Sequence, residues 1–440
     1  MNTPICDFVR RYAELNSLRL HMPGHKGVGS LGVESLDITE ISGADSLYEA
    51  NGIIAESEAN ASSLFECPTI YSTEGSSQCI RAMLHLALMD AIAKGKPPVI
   101  AAGRNVHKTF LSAAALLDLD IRWLCPKNQT SYLSCEITPE ELDRFLAETP
   151  ITAVYVTSPD YLGHVADIQA LSAVCHRHGV LLLVDNAHGA YLKFLPNSQH
   201  PMDLGADLCC DSAHKTLPVL TGGAYLHIRD AELAAQAKNA LALFGSTSPS
   251  YLILQSLDMA NAYLAADYRK NLADFCDRAD SLKASLTSHG YCLYSQEPLK
   301  VTIHAKPWGY TGTALATALE KSGIVSEFAD PDFLVLMLTP EIGADGLAQL
   351  EQALLSIPPQ EDAHPAPPTF CMSQRVLSIR EAMLSPYETI PVQESLGRVL
   401  ATASVGCPPA VPIVVCGEQI DEKALECFRY YGIETCNVVK

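Results

Sequence analysis

Between about residues 55 and 230 the chain alternates short apolar runs of β type with helical patterns, and this alternation constrains its fold more than any other feature. The runs are TIYST (69–73), VIAA (99–102), IRWL (121–124), TAVYVT (152–157), VLLLVD (180–185), DLCC (207–210) and GAYLHI (223–228). Helix-like segments lie between several of them, such as Gln78–Ala93, Pro139–Ala147 and Ile168–His178. Apolar strands separated by helices imply an α/β fold with a mostly parallel, seven-stranded sheet covered on both faces. Ligands of such sheets bind beyond the carboxyl ends of the strands. Polar residues directly after the runs are therefore the places to look for chemistry.

Downstream, a long helical pattern is expected from about Ser250 to Ser288. VTIHA (301–305) and FLVLML (333–338) flank a helix over Thr313–Ser322 and form a small α/β unit. The proline-rich stretch 358–368 reads as a linker, because proline continues neither a helix nor a central strand. The expected organisation is an N-terminal arm (1–50) packing on the main domain or on a partner subunit, a large domain (51–290), a small α/β domain (291–357), the linker (358–368) and a C-terminal domain (369–440). Hydrophobic residues make up 48% and charged residues 18%, the balance of a packed globular protein. No apolar run approaches the ~18 residues of a membrane helix. The first residues lack the basic-then-apolar layout of a signal peptide, so a cytoplasmic location is expected.

The formal net charge of −20 argues against nucleic acid as a partner, because phosphate binding needs a cationic face. It suits an amine-bearing substrate, though solubility alone also accounts for it. The fifteen cysteines are scattered and form no CxxC pair. They read as buried small hydrophobes, with no disulfide framework and no metal-ligand spacing.

Three segments carry candidate chemistry. Thr73-Glu74-Gly75-Ser76-Ser77-Gln78 joins an apolar run to a helix. Small residues, two hydroxyls and the N–H groups of a helix start can bind a phosphate; an ordinary N-capped turn looks similar. Asp185 ends an unbroken apolar strand in Val184-Asp185-Asn186-Ala187-His188-Gly189. A carboxylate there pairs with a cation, for which a protonated pyridine nitrogen is one partner, or else caps a helix. Lys215, in Asp211-Ser212-Ala213-His214-Lys215-Thr216, follows another buried run and precedes Gly222-Gly223. Partial burial supplies lysine's free amine for a Schiff base; a plain surface lysine is the other reading. A phosphate-type turn, then a strand-end aspartate, then a strand-end lysine is the layout of a pyridoxal 5′-phosphate (PLP) site.

The chain resembles the Orn/Lys/Arg decarboxylase family of PLP enzymes with the aspartate-aminotransferase fold (fold type I), and specifically its short subgroup. The resemblance runs in order through His21-Met22-Pro23-Gly24-His25-Lys26-Gly27, Ala44–Leu47, Arg104-Asn105-Val106-His107-Lys108 and Thr157–Gly163. It continues through Asp185–His188, Ser212–Lys215 and Ser246–Ser250, to Pro391–Arg398 and Pro408–Glu418. It implies a PLP-dependent decarboxylase of a basic amino acid (lysine, arginine or ornithine). By position, Lys215 would hold PLP as a Schiff base, Asp185 would pair with the pyridine nitrogen, and His107 would stack on the ring. Gly75, Ser76 and Ser77 would bind the phosphate with Ser212 and His214, and His188 would lie against the ring. His214 or Lys215 would return the proton to the substrate. The family's members are dimers with interface active sites, so a homodimer or higher homo-oligomer is expected, and the His21–Gly27 loop is placed to reach a neighbour.

Three residues depart from the family pattern. Glu74 puts a carboxylate beside the phosphate turn, Asp160 replaces a small polar residue, and Tyr191 stands where a second histidine is common. Asp45, Glu49, Glu327 and Asp330 are candidate partners for the substrate's distal cation. An aminotransferase or lyase on the same fold is the main rival, and a non-catalytic member is another. A transaminase must clamp the substrate carboxylate, and the stretch 301–345 holds no arginine, which favours decarboxylation.

Overall fold

The computed structural model describes residues 1–126, 131–294, 297–361, 365–369, 372–402 and 411–440. Residues 362–364 of the expected linker and 408–410 of the family-like tail lie outside the described residues. Each of the seven apolar runs forms a strand: β1 (Thr69–Ser72), β2 (Val99–Gly103), β3 (Asp120–Leu124), β4 (Ala153–Thr157), β5 (Leu181–Asp185), β6 (Leu208–Asp211) and β7 (Ala224–Ile228). They form one seven-stranded sheet in the order β1-β7-β6-β5-β4-β2-β3. β1, β4, β6 and β7 have almost no exposed residue, as strands covered on both faces require.

The chain divides into two compact units, Met1–Lys96 with Leu181–Leu272, and Pro97–Val180 with Ala273–Lys440. The first contains β1, β5, β6 and β7. β5 and β6 run parallel, with Asp185 opposite Cys210. β7 runs antiparallel to both β6 and β1. The connection from Asp211 to Ala224 holds only a single helical turn, Ala213–Thr216, too little for the helical crossover that a parallel neighbour needs. The helix Gly75–Ala93 follows β1. The long helical pattern is two helices, Tyr251–Ala265 and Tyr268–His289, broken where Ala266 leaves the helical conformation (ψ −121°). Asp258 of the first of these takes the N–H groups of Ile5 and Cys6, each at 3.0 Å. That carboxylate supplies the missing cap of the N-terminal helix Pro4–Glu14, whose own Thr3 makes no cap bond.

The second unit contains β2, β3 and β4, a four-stranded antiparallel sheet and a C-terminal pair. β8 (Cys292–Leu293), β9 (Lys300–His304), β10 (Phe328–Ala329) and β11 (Phe333–Met337) lie in the order β10-β11-β9-β8. β12 (Tyr387–Pro391) pairs antiparallel with β13 (Thr435–Val439). Apolar residues of the C-terminal segment, such as Val414, Phe428 and Val438, pack in one cluster with Leu133, Leu162 and Phe328. The thirteen cysteines among the described residues are free, and no helix among those residues is long and apolar enough to cross a membrane.

One buried ion pair anchors the C-terminal segment. Arg104, just after β2, donates to Glu418 at 2.8 Å, with both side chains at most 3% exposed. The guanidinium also donates to the carbonyls of Pro412 and Ile413 and lies 5.1 Å from the Trp123 ring centroid. Burial pushes the Glu418 carboxyl above its usual range, against the pull of Arg104. Glu418→Ala would strand a buried guanidinium, so it is expected to cost about 3–5 kcal/mol. Urea unfolding measures that loss, and an unchanged midpoint would refute it.

Candidate active site

The phosphate-type turn sits where β1 hands over to the helix Gly75–Ala93. Gly75 takes φ +71°, the left-handed region that favours glycine. Its N–H donates to the Gly222 carbonyl at 2.7 Å, so the Gly222-Gly223 turn lies directly against it. Ser212 Oγ donates to Ser76 Oγ at 2.8 Å, which brings the end of β6 to the same helix start. The helix has no side-chain cap from Glu74. The Glu74 carboxylate accepts the Ser246 N–H at 2.5 Å instead, so the departure feared from the sequence is taken up by a backbone donor. Ser77, half-buried, occupies the same first turn.

The strand-end residues come next. Asp185 is 2% exposed and closes β5, where it accepts the Ala187 N–H at 3.2 Å and the Cys210 thiol at 3.7 Å. It caps no helix, because the following turn, Ala190–Phe194, has Gly189 as its cap. Lys215 is half-buried and its Nζ lies 3.1 Å from His188 Nε2. His188 is three residues beyond Asp185, and Lys215 four beyond the end of β6. Carboxylate and amine therefore hang from adjacent, parallel strand ends, and the surface-lysine reading is set aside. His214 Nδ1 is 2.9 Å from the Gly223 carbonyl. A carbonyl only accepts, so Nδ1 carries a hydrogen and Nε2 is the atom that holds or releases the exchangeable proton.

His107 belongs to the other unit. It caps the helix Lys108–Leu117, with Nδ1 accepting the Thr109 N–H at 3.2 Å, which sets its ring orientation. Asp160 is 1% exposed and accepts from Ser134 Oγ and the N–H groups of Leu162 and His164. It braces its own loop. Tyr191 is fully buried. Of the distal-group candidates, Asp45 is saturated by the N–H groups of Asn51, Gly52, Ile54 and Ala55. It closes a loop and leaves the list. Asp330 accepts from Asp332 and Phe333 N–H, and burial pushes its carboxyl up to about 6. Glu49 and Glu327 remain, the latter accepting from Tyr161 OH at 3.1 Å.

Sequence reading overlooked Asp211. It ends β6 fully buried, with Asn186 on one carboxylate oxygen and His200 and His227 on the other. A second aspartate, Asp211, directly after the Leu208-Cys209-Cys210 run was the one available sign. His200, Cys209 and Asp211 also have the spacing of metal ligands, the one such group found among the described residues. However, His200 Nδ1 accepts the Met202 N–H at 3.4 Å, which leaves Nε2 carrying its hydrogen toward Asp211 rather than a lone pair toward a metal.

The first unit thus gathers a phosphate cradle of positive-φ glycine, two linked hydroxyls and a helix start, a half-buried amine, and a buried carboxylate on the neighbouring strand end. These residues fit PLP, with phosphate at Gly75–Ser77, aldehyde at Lys215 and pyridine nitrogen at Asp185.

Comparison with known proteins identifies the family. Residues 3–304 match the Orn/Lys/Arg decarboxylase major domain, and residues 364–435 match the C-terminal domain of the same family. The arginine decarboxylase of Bacillus subtilis is 29% identical over 96% of this chain and 92% of its own length. The crystal structure of the Francisella novicida lysine decarboxylase superposes with a TM-score of 0.81 at 16% identity, covering 100% of this chain and 81% of that one. The alanine–glyoxylate aminotransferase of Nostoc sp. superposes with a TM-score of 0.56 at 17% identity, over 69% of this chain and 85% of that one. The fold is that of the fold type I PLP enzymes, and PLP is the cofactor. The chain belongs to the Orn/Lys/Arg decarboxylase family and is an amino-acid decarboxylase.

Proposed function

We infer that this protein decarboxylates a basic amino acid, arginine first among the three candidates, with Lys215 as the covalent anchor of its cofactor. The observation that carries the reading is the placement of Lys215, against His188, and Asp185 at the ends of adjacent parallel strands. Arginine is favoured by full-length similarity to the B. subtilis arginine decarboxylase.

The single Gly75 N–H is engaged with the Gly222 carbonyl, so the positive-φ glycine would shape the turn while the Ser76, Ser77 and Ser212 hydroxyls and the helix start would hold the phosphate. Lys215 Nζ would hold the cofactor at its aldehyde carbon. The Asp185 carboxylate would face the pyridine nitrogen and favour its protonated form. Bound PLP supplies the electron sink that accepts the bonding pair as CO₂ leaves. His107 flanks the ring in this reading, and His188 Nε2 steers the Lys215 amine. His214 Nε2 or Lys215 Nζ returns a proton to the substrate's α-carbon. Glu327 or Glu49 takes the distal cation.

The expected organisation into arm, large domain, small domain, linker and C-terminal domain is part of this reading, as are a cytoplasmic location and a homodimer. Support for the dimer comes from the apolar side chains the arm leaves bare: Leu18, Leu20, Val28 and Leu31 are each at least 79% exposed, as a surface to be covered would be. Incubation with PLP and arginine, lysine or ornithine separately is expected to release CO₂ and the matching amine fastest from arginine, without keto acid. Keto-acid formation would make the protein an aminotransferase, and a monomer on sedimentation of the active enzyme would remove the dimer.

A further inference from the structure

The buried group around Asp211 is built as a latch. Asp211 Oδ1 accepts the Asn186 carboxamide at 2.6 Å, and Oδ2 accepts His200 Nε2 at 3.1 Å and His227 Nε2 at 3.0 Å. All four side chains are at most a trace exposed. Their hydrogens can be assigned. His200 Nδ1 accepts the Met202 N–H, so His200 is neutral with its hydrogen on Nε2. His227 Nδ1 faces Thr69 Oγ1 at 2.9 Å, and that hydroxyl donates to the Cys67 carbonyl at 3.0 Å. With the Thr69 hydroxyl turned to Cys67, His227 can donate from both nitrogens, the arrangement that best offsets the Asp211 charge inside the core. Burial pulls the His227 pKa down, but Asp211 outweighs it and the net shift is upward. Phe65 lies against both imidazoles, with ring centroids 5.5 and 4.5 Å away.

Asn186 is held on its other side too. A Cβ at Gly189 would stand 2.0 Å from Asn186 Oδ1, so this glycine leaves the room that the carboxamide fills. Asn186 Oδ1 has no hydrogen-bond partner among the described residues. Turning the amide over would set that oxygen against the Asp211 carboxylate, so only one orientation is stable. The Asn186 N–H meanwhile donates to the Cys210 carbonyl at 3.0 Å. Asn186 directly follows Asp185, and Asp211 precedes Lys215 by four residues. The carboxamide–carboxylate bond thus ties together the two strand ends from which Asp185 and Lys215 project.

We propose that Asp211 is a positioning residue that, through Asn186, sets the separation between the Asp185 carboxylate and the Lys215 amine, with His227 and His200 holding its charge in place. The proposal rests on the reading of Lys215 and Asp185 as cofactor residues. Neither Asp211 nor Asn186 touches the cofactor; they act by fixing where the two contacting groups stand. Misplacement of a reacting group by about 1 Å costs up to roughly 100-fold.

The test uses the full-length protein and two readouts. In apo-protein given free PLP, the rate of attachment is followed by borohydride reduction and intact mass. In holoenzyme, kcat and KM are measured separately. Asn186→Leu and Gly189→Ala are both expected to slow attachment and to lower kcat by about 10- to 100-fold, with KM within about twofold. Asn186→Leu combined with Asp211→Asn is expected to lose clearly less than the sum of the two single losses, because both act through the Asn186–Asp211 bond. Additive losses would overturn the proposal. So would a drop in melting temperature with attachment rate and kcat of the folded protein unchanged, which is the signature of a purely structural cluster. If Asp211→Asn does not fold, Asn186→Leu and Gly189→Ala still decide. Attachment that survives Lys215→Ala would instead sink the cofactor-site reading itself, so the two failures are told apart.

Discussion

Lys215→Ala is expected to yield a folded protein that no longer carries PLP covalently: borohydride reduction leaves no pyridoxyl adduct on the intact protein, and turnover falls by about 1,000-fold or more, the scale of losing a covalent catalytic group. The side chain is half-buried and its amine lies against His188, so its removal should shift stability by no more than about 1 kcal/mol. Lys193, in the segment after β5, is 2% exposed and tied to Glu66 at 2.8 Å and Asp203 at 2.6 Å, so it is poorly placed to take over. An adduct persisting in the variant, mapped to another lysine, would overturn the assignment.

The second large effect is at Asp185. Asp185→Asn keeps an oxygen for the Ala187 N–H and nearly the same volume, so the strand end should stay in place. It removes the negative charge from a site only 2% exposed, where a charge-assisted hydrogen bond is strong. The cofactor should still attach at Lys215, while kcat falls by about 100- to 1,000-fold, or roughly 3–4 kcal/mol of barrier. The measurement is steady-state CO₂ release alongside trapping of the adduct. A kcat within threefold of the parent enzyme would show that this carboxylate does not hold the pyridine nitrogen.

Much of the fold was legible in the chain itself. Seven apolar runs became seven strands, and the helices began and ended within a few residues of their patterns. Both features are local: burial periodicity, caps such as Thr138 ahead of Pro139–Glu148, and glycine or proline at the breaks. The order of phosphate turn, aspartate and lysine was likewise readable, because each follows its own strand. The direction of β7 was harder. Its apolar run says strand, and only the length of the Asp211–Ala224 connection says antiparallel. The break at Ala266 was hidden inside two helical patterns that abut without proline or glycine.

Sequence alone determined the layered α/β plan, the kinship with PLP decarboxylases and the positions of Lys215 and Asp185 along the chain, because these depend on residue type and near neighbours. Tertiary structure alone decided that Asp45 closes a loop, that Glu74 turns to Ser246, that Arg104 meets Glu418 across 314 residues, and that Thr69, Asn186, His200, Asp211 and His227 converge in one buried network. Those partners are selected by strand register, such as His227 opposite Cys209 on one side and Thr69 on the other. Register is a long-range property that no local window of sequence contains.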